Sequence, residues 1–356
     1  YSWNKYSNTG EQFHNGVRTD YFTQKEYYGS FSARYNFGNN LSGVISQDIF
    51  RNSLDASYEN CVYPRRSTSL TAVAARFSNG RVNAVASLLY TYITEDLRRG
   101  NAAADRKRLS PAVSISYKPF KGENLRIRAS YQDIFRTPTF NDLYYDRVGN
   151  AALNPEIARQ MNVGVTWRKG FERILDEVSL QADFFYNQVK DKIVGLPTLF
   201  VWRMLNMGEV DIKGADVNIG TSMWLARDLR MELQGTYSYQ KAIDVSDAHS
   251  KNYRHQIPYT PLHSGSMQLS LISRWGTLGY MMQSVGERFS LPQNVKENLM
   301  KGYVEHSLSA GKGFTAGKCR LQLQLECRNF TDVQYDVIQY YPMPGRSYRF
   351  TLKLDY

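Results

Sequence analysis

The residues of this 356-residue chain that could do chemistry do not fall into the spacing of a catalytic or metal site. Its five histidines lack the HExxH pattern of zinc enzymes, and no Ser/His/Asp order or carboxylate pair stands out. Cys61, Cys319 and Cys327 are too few and too dispersed for a disulfide framework or a zinc site. The sequence therefore predicts no enzyme, no metal and no cofactor.

Two loops hold candidates for binding a ligand. The stretch FRTPTFNDLYYDRVGNAALNPE, residues 135–156, is polar and aromatic and shows neither helical nor strand periodicity. Aromatic loop residues dominate recognition surfaces, so its tyrosine pair and the two charges that follow form the preferred patch. A second loop, residues 242–259, adds a tyrosine and a histidine. The candidates are Tyr144, Tyr145, Asp146, Arg147, Tyr253 and His255. Ordering or solvating the loop is the alternative role in both places.

The elements that position these loops alternate between apolar and polar residues. In EVSLQADFFYN (177–187) and RLQLQLECR (320–328), nearly every second residue is apolar and most of the others are charged or amide side chains. Such a period of two predicts strands with one apolar and one polar face. The apolar rows often end in an aromatic residue, as at Tyr35, Tyr90 and Tyr237, which is typical of a membrane interface.

Connections between these segments alternate in length. Short turns are predicted at 38–40, 79–80 and 225–228, and long loops after Phe50, after Glu95, around 189–206 and at 242–259. Outer-membrane barrels have short periplasmic turns and long external loops, and only closed barrels or helices satisfy the backbone in lipid. We therefore predict an all-β, transmembrane antiparallel β-barrel with about sixteen strands.

Composition argues against two classes of protein, those with membrane-spanning helices and those that bind nucleic acid. Mean hydropathy is −0.49, and no apolar run approaches the 18 or so residues of a spanning helix. The net charge of +11 comes from basic residues scattered over strands and loops rather than clustered, which argues against nucleic acid. The start, YSWNKYSNTG, lacks the features of a signal peptide, so we expect a fragment of a longer protein.

Three stretches resemble one family, and the last strand resembles outer-membrane barrels in general. The first is residues 135–156, with an Arg-x-Pro-Thr element, a Leu-Tyr pair, a Gly-Asn and a Leu-x-Pro-Glu in order; these are Arg136, Pro138, Thr139, Leu143, Tyr144, Gly149, Asn150, Leu153, Pro155 and Glu156. The second is LNMGEVDIKGADVNI (205–219), with Asn206, Gly214 and Ala215. The third is residues 328–350, with Pro344 and Gly345. The last strand, SYRFTLKLDY, ends in Tyr356 and is similar to the assembly signal of outer-membrane barrels, where Phe is usual.

Together these stretches resemble the barrel of TonB-dependent outer-membrane receptors. Gly214 lies where the alternation changes phase, which predicts a β-bulge there. The resemblance implies that residues 1–356 are barrel only, and that the plug domain, the TonB-binding segment and about six of 22 strands lie outside this chain.

The resemblance also implies a function in the bacterial outer membrane, among its lipids. It implies active uptake of a nutrient, with cobalamin the first expectation and a ferric siderophore the second. The expected partners are the TonB complex, the plug domain in the lumen and that nutrient. The alternative function is a passive sixteen-stranded porin.

Overall fold

The computed structural model of the chain describes residues 2–9, 17–57, 61–100, 102–145, 148–171, 174–197, 202–317 and 319–355. The elements are, in chain order, β1 (Ser2–Thr9), β2 (Val17–Phe37), β3 (Leu41–Ala56), β4 (Pro64–Ser78), β5 (Val82–Leu97), β6 (Arg106–Tyr117), β7 (Asn124–Arg136), α1 (Phe140–Tyr144), β8 (Glu156–Gly170), β9 (Leu175–Pro197), β10 (Trp202–Ala226), β11 (Leu229–Asp244), β12 (His263–Ser273), β13 (Gly276–Val285), β14 (Arg288–Phe289), a 3-10 turn (Lys296–Asn298), β15 (Leu299–Met300), β16 (Tyr303–Ala316), β17 (Cys319–Arg328), β18 (Asp336–Ile338), β19 (Tyr341–Pro342) and β20 (Ser347–Asp355).

Among the described residues, sixteen strands form one antiparallel sheet, which confirms the predicted strand number. Their order is β1 to β13 in sequence, followed by β16, β17 and β20. The remaining strands form two separate pairs, β14 with β15 and β18 with β19. Within the described parts of the chain, no helix is long and apolar enough to cross a membrane.

Contacts divide the chain into two compact units. The first comprises Tyr1–Ile115, Ser130–Gln160 and Val189–Glu209, and the second comprises Ser116–Ala129, Met161–Gln188 and Val210–Tyr356. Each unit therefore contains whole strands together with parts of β6 to β10.

The predicted alternation of connections is present. Two residues join β10 to β11 and two join β12 to β13, whereas residues 137–155 join β7 to β8 and residues 245–262 join β11 to β12. The long loop predicted around 189–206 is wrong. β9 continues to Pro197 and β10 begins at Trp202, and the two strands are neighbours in the sheet.

The apolar rows are exposed in both units, as the membrane interpretation requires. In the first unit Ile45 lies opposite Val73, and their side chains are 51% and 54% exposed. In the second unit Leu325 lies opposite Phe350, at 58% and 63%. Exposed apolar rows of this kind are the band that contacts hydrocarbon in a membrane barrel. Buried apolar residues collect instead near the long connections, as in the cluster of Leu143, Leu153 and Ile193.

The β-bulge predicted at Gly214 is not found in the pairing of β10 with β11. Their register runs unbroken past Gly214, and the shift lies between Trp224 and Ala226, beside the short turn. The change of phase has another cause. Ile212 is buried opposite Ala242, whose backbone N–H donates to Gln256 Oε1 over 3.0 Å, so the long connection covers that part of the strand pair.

Candidate ligand-binding site

The connection between β7 and β8 contains a short helix, α1, that its sequence did not predict. Thr139 and Asp142 form a capping box, in which the Asp142 N–H donates to Thr139 Oγ1 at 3.1 Å and the Thr139 N–H donates to Asp142 Oδ2 at 2.8 Å. Reciprocal capping satisfies two backbone donors at a helix start. Pro138 before it is fully buried. One helical turn is too short to produce a periodic pattern, so the helix could not be predicted from periodicity.

Arg136 closes the base of this connection. Its Nη1 lies 3.2 Å from Glu156 Oε2, and its Nη2 lies 3.5 Å from Asp142 Oδ2. Glu156 also accepts a hydrogen bond from the Ile193 N–H at 3.0 Å. The last residue of β7 and the first of β8 are thereby held together, and the carboxylate of Glu156 ties both to β9.

Gly149 and Asn150 fold the rest of the connection back on α1. The Asn150 N–H donates to the Asp142 carbonyl at 2.7 Å, and Asn150 Nδ2 donates to the Met204 carbonyl at 3.2 Å. A Cβ at Gly149 would lie 2.6 Å from the Tyr145 backbone nitrogen, so no larger side chain fits there without moving the backbone. Pro155 directly precedes β8.

Tyr144 ends in a buried ionic cluster. Its hydroxyl donates to Glu95 Oε2 at 3.1 Å, and the other oxygen of Glu95 lies 2.6 Å from Arg66 Nη2 and 3.0 Å from Arg106 Nη1. The Glu95 side chain is 2% exposed. Burial, followed by the charge and hydrogen bond of Glu95, raises the pKa of Tyr144 to about 12. The hydroxyl is therefore neutral and committed to Glu95.

Two further rings of this connection are the half-buried Tyr145 and the buried Phe140. The Tyr145 ring stacks on Phe22 with centroids 5.8 Å apart, and the Arg66 guanidinium lies 5.0 Å from the Phe140 centroid. Asp146 and Arg147, the charged half of the predicted patch, lie outside the described residues. Tyr144 and Tyr145 thus differ: one is bonded to a buried carboxylate, and the other stacks at the edge of the connection.

Tyr253 and His255 belong to the second unit, in the connection between β11 and β12. The His255 ring nitrogen Nδ1 accepts from the Asn294 N–H at 3.3 Å, and its carbonyl accepts from the Asp244 N–H at 3.0 Å. The Arg254 guanidinium lies 5.9 Å from the Tyr253 ring centroid. Both candidates are therefore partly used in ordering their own connection.

Two of the remaining motif glycines stand at crowded places in the second unit. A Cβ at Gly214 would lie 2.3 Å from the Tyr239 carbonyl oxygen. One at Gly345, which follows the exposed Pro344, would lie 2.6 Å from Asp332 Oδ1. Tyr356 lies outside the described residues.

The last connection is stabilised by residues that the sequence did not single out. The Tyr335 ring stacks on Tyr303 at 3.8 Å, and its hydroxyl donates to Glu305 Oε2 at 2.5 Å. Burial and Glu305 raise the pKa of Tyr335. The Arg288 guanidinium donates to the carbonyls of Asp336 and Val337. These contacts attach the β18–β19 pair to the strands beside it.

Ion pairs are a further feature of the structure. The sequence predicted which charged residues lie on polar rows, but not which of them pair. Alternation places Arg128 and Asp183 on polar rows, and the structure brings them together at 2.7 Å. A Cβ at Gly164 would strike that carboxylate, so the glycine leaves room for the pair. Arg108 Nη2 contacts both oxygens of the buried Asp133, at 3.0 and 2.9 Å. Among the ion-pairing residues that the sequence did not single out, Glu95 has three partners. Its signal in the sequence is its place on the same side of β5 as Thr91 and Ile93, which are buried.

Comparison with known proteins identifies the class. Residues 1–330 match the model of the family described as TonB dependent receptor-like, beta-barrel. The chain belongs to this family, whose members are receptors and transporters of the Gram-negative outer membrane. The fold class predicted from the sequence, an all-β transmembrane antiparallel barrel, is thereby confirmed. The match does not favour the porin alternative.

Individual relatives are similar to this chain over only part of their own length. A vitamin B12 transporter, BtuB, from Vibrio vulnificus (strain YJ016) is 27% identical over 147 residues, which are 41% of this chain and 21% of that protein. The copper transporter OprC has a TM-score of 0.74 at 14% identity, over 97% of this chain and 60% of its own. The ferric preacinetobactin receptor BauA from Acinetobacter baumannii has 0.70 at 13%, over 95% and 55%. The chain thus spans a fifth of the curated relative and just over half of the solved structures.

Proposed function

We propose that the chain is the C-terminal part of the barrel of an outer-membrane receptor for active uptake of a scarce nutrient, and that it is not an enzyme. The family match over residues 1–330 carries this proposal. The exposed apolar rows and the alternation of short turns with long connections support it. The TonB complex supplies the energy through a segment outside this chain, and a plug domain packs against the polar face.

The nutrient we propose first is cobalamin, and second a ferric siderophore. The matched stretch of a vitamin B12 transporter supports the first, and structural similarity to a ferric siderophore receptor is consistent with the second. The similarity to a copper transporter shows that the fold alone does not select among these cargoes.

The ligand contacts are proposed for the aromatic edge of the β7–β8 connection. Tyr145 stacks at this edge, and Asp146 and Arg147 follow it in sequence. Tyr144 supports the edge through Glu95, and Tyr253 with His255 forms a second proposed contact. The motif residues are proposed to hold these connections in shape; they are Arg136, Pro138, Thr139, Gly149, Asn150, Pro155, Glu156, Gly214, Pro344, Gly345 and Tyr356.

Uptake by cells expressing the full-length protein tests the function. Labelled cobalamin and a labelled ferric siderophore are supplied separately, to cells with and without an intact TonB complex. We expect accumulation of one of them, and loss of that accumulation when TonB is removed. Accumulation that persists without TonB would identify a passive pore instead.

A matched pair of variants tests the contact residues. Tyr145→Ser removes a ring from the proposed edge, and Phe120→Ser removes an exposed ring from the short β6–β7 turn. We expect the first to weaken binding of the accumulated nutrient about tenfold, in the range typical of aromatic contacts at recognition surfaces, and the second to leave it unchanged. Equal binding by both variants would contradict the proposed contact.

A further inference from the structure

Two lysines of the second unit face each other directly across neighbouring strands. Lys213 of β10 lies opposite Lys241 of β11, and both side chains are exposed. Like charges in directly opposed positions repel and destabilise a strand pair. Between exposed side chains this repulsion is small, and an anion placed between the two ammonium groups would turn it into attraction.

A third cation joins this pair. Arg254 adopts a left-handed backbone conformation, with φ of 63°, and its N–H donates to the Asp244 carbonyl at 2.7 Å. This turn folds the β11–β12 connection back toward β11. A pocket of about 300 Å³ results, lined by Asp211, Lys213, Lys241, Ile243 and Arg254.

The pocket carries more positive than negative charge. Its single carboxylate, Asp211, accepts a hydrogen bond from the Tyr186 hydroxyl at 3.3 Å, and Lys213 Nζ lies 5.2 Å from the centroid of the same ring. Within the residues the structure describes, none of the three cations forms an ion pair with a carboxylate. Three cationic groups around one cavity are suited to a multiply charged anion such as a phosphate.

The position of the pocket indicates which kind of molecule carries that phosphate. Lys213 shares its side of β10 with Ala215, Val217 and Ile219, and Lys241 shares its side of β11 with Tyr239 and Tyr237. Val217 lies opposite Tyr237, and Ile219 and Tyr237 are 50% and 47% exposed. The exposed apolar row therefore passes through tyrosines and ends at the three cations, on the side of the long connections. In a membrane barrel, that order corresponds to acyl chains, interface and headgroup.

We propose that this pocket binds the phosphate of an anionic glycolipid in the outer leaflet, whose acyl chains lie along the apolar row. The inference rests on the proposed placement in the outer membrane, but it assigns the surface a partner that is independent of the transported nutrient. Lys213 and Lys241 hold the phosphate between them, and Arg254 approaches it from the connection. The bound phosphate offsets the repulsion between the two lysines.

Native mass spectrometry of the full-length protein in detergent tests this. The probes are diphosphorylated lipid A, the same glycolipid with its phosphates removed, and inorganic phosphate. The test variant is the double substitution Lys213→Gln with Lys241→Gln. The control is Arg227→Gln with Lys251→Gln, which removes the same charge from the short β10–β11 turn and from the β11–β12 connection outside the pocket.

We expect one tightly bound lipid A on the wild type and on the control, and affinity lower by about fivefold for each lysine removed in the test variant. The dephosphorylated lipid should bind weakly to all three. Equal binding by test and control variants would overturn the proposal. So would inorganic phosphate that binds as tightly as the lipid, because the site would then recognise a free anion.

Two further measurements distinguish loss of the lipid site from misfolding and from failure of the proposed transport function. Heat-modified electrophoretic mobility reports whether each variant is folded, so a loss of lipid by a folded variant is a loss of the site. Nutrient uptake is measured on the same variants. Wild-type uptake without lipid selectivity would overturn the lipid site alone, whereas lipid binding without uptake would overturn only the transport function.

Discussion

Two clusters in this chain each place two cations beside one carboxylate, and they solve the problem of like charge differently. In the first unit, Arg66 and Arg106 share the buried oxygen of Glu95, and Tyr144 bonds the other oxygen. In the second unit, Lys213 and Lys241 face each other at the surface, and neither pairs with Asp211. In the first cluster both cations pair with the carboxylate, and in the second, within the described residues, neither does.

Burial explains the difference. A charge removed from water must be paired, because an uncompensated ion in the interior costs several kcal/mol. Glu95 is 2% exposed and is surrounded by three donors. Exposed lysines keep their hydration and repel each other only weakly, so the chain tolerates them without a partner. The buried cluster is thus suited to stability, and the exposed one to binding.

The largest expected effect comes from removing the buried carboxylate. Glu95→Gln should lower the free energy of unfolding by about 3–5 kcal/mol, because two arginines lose their common partner in the interior. Unfolding by urea in lipid vesicles, followed by tryptophan fluorescence, measures it. The control Glu232→Gln, which removes a half-exposed pair with Arg230, should cost about 0–1 kcal/mol. Similar losses in both variants would contradict the comparison.

The hydroxyl of Tyr144 gives the next largest effect. Tyr144→Phe removes the hydrogen bond to a charged acceptor and should cost about 1.5–3 kcal/mol. The same urea titration measures it, with Tyr340→Phe as the control, since that ring is 81% exposed. Because Glu95 couples to Tyr144, the double variant Glu95→Gln/Tyr144→Phe should lose less than the sum of the two single losses. Additive losses would show that the hydroxyl and the carboxylate act separately.

The same hydroxyl predicts a pH dependence. Its pKa in the folded chain is raised to about 12 from an ordinary value of 10.0. Below pH 10 the hydroxyl is protonated in both states, so its contribution to stability is fully present. As pH rises from 10 through 12 the unfolded state loses the proton first, and the contribution is lost. The stability difference between wild type and Tyr144→Phe should therefore shrink between about pH 10 and about pH 12, and a constant difference would contradict this prediction.

Much of the fold was readable because the period of a strand is local. Leu321, Leu323 and Leu325 alternate with polar residues in the sequence itself, and they pair with the equally regular Leu354, Leu352 and Phe350. The helix α1 was not readable, since its stability comes from one capping box. The length of β9 was also missed, because residues 189–197 do not alternate regularly between apolar and polar side chains.

The two ionic clusters could not be predicted either, because each depends on contacts between strands. Glu95 meets Arg66, Arg106 and Tyr144 from two neighbouring strands and a distant connection. Lys213 meets Lys241 only because a two-residue turn and a shift at Ala226 set the register of β10 against β11. A change of one residue in that register would turn one lysine to the other face. The aromatic patch could be recognised from its residue types. The role of Tyr144 could not, because its partner Glu95 lies 49 residues away in the sequence.

Gly214 tests whether close approach of the strands is needed for the exposed cluster. A Cβ there would lie 2.2 Å from the Phe185 ring and 2.3 Å from the Tyr239 carbonyl, so Gly214→Ala should cost about 1–3 kcal/mol. The control Gly29→Ala adds a Cβ where nothing lies within 4 Å and should be neutral or slightly stabilising. Urea unfolding measures both. Neutral behaviour of Gly214→Ala would show that β10 and β11 can separate, which would weaken the argument that Lys213 and Lys241 are forced together.

The smallest effect has the opposite sign. Lys241→Glu places an acid opposite Lys213, so in detergent without anionic lipid it should stabilise the chain by about 0.2–1 kcal/mol, because repulsion becomes attraction across the strand pair. The control Lys251→Glu has no directly opposed lysine and should change little. The same substitution should abolish binding of lipid A, since the phosphate would meet a carboxylate. Gained stability with lost lipid binding would show that the exposed lysines are retained for a ligand at a cost to the fold; lost stability would mean that they do not repel, and the contrast with the buried arginines would fail.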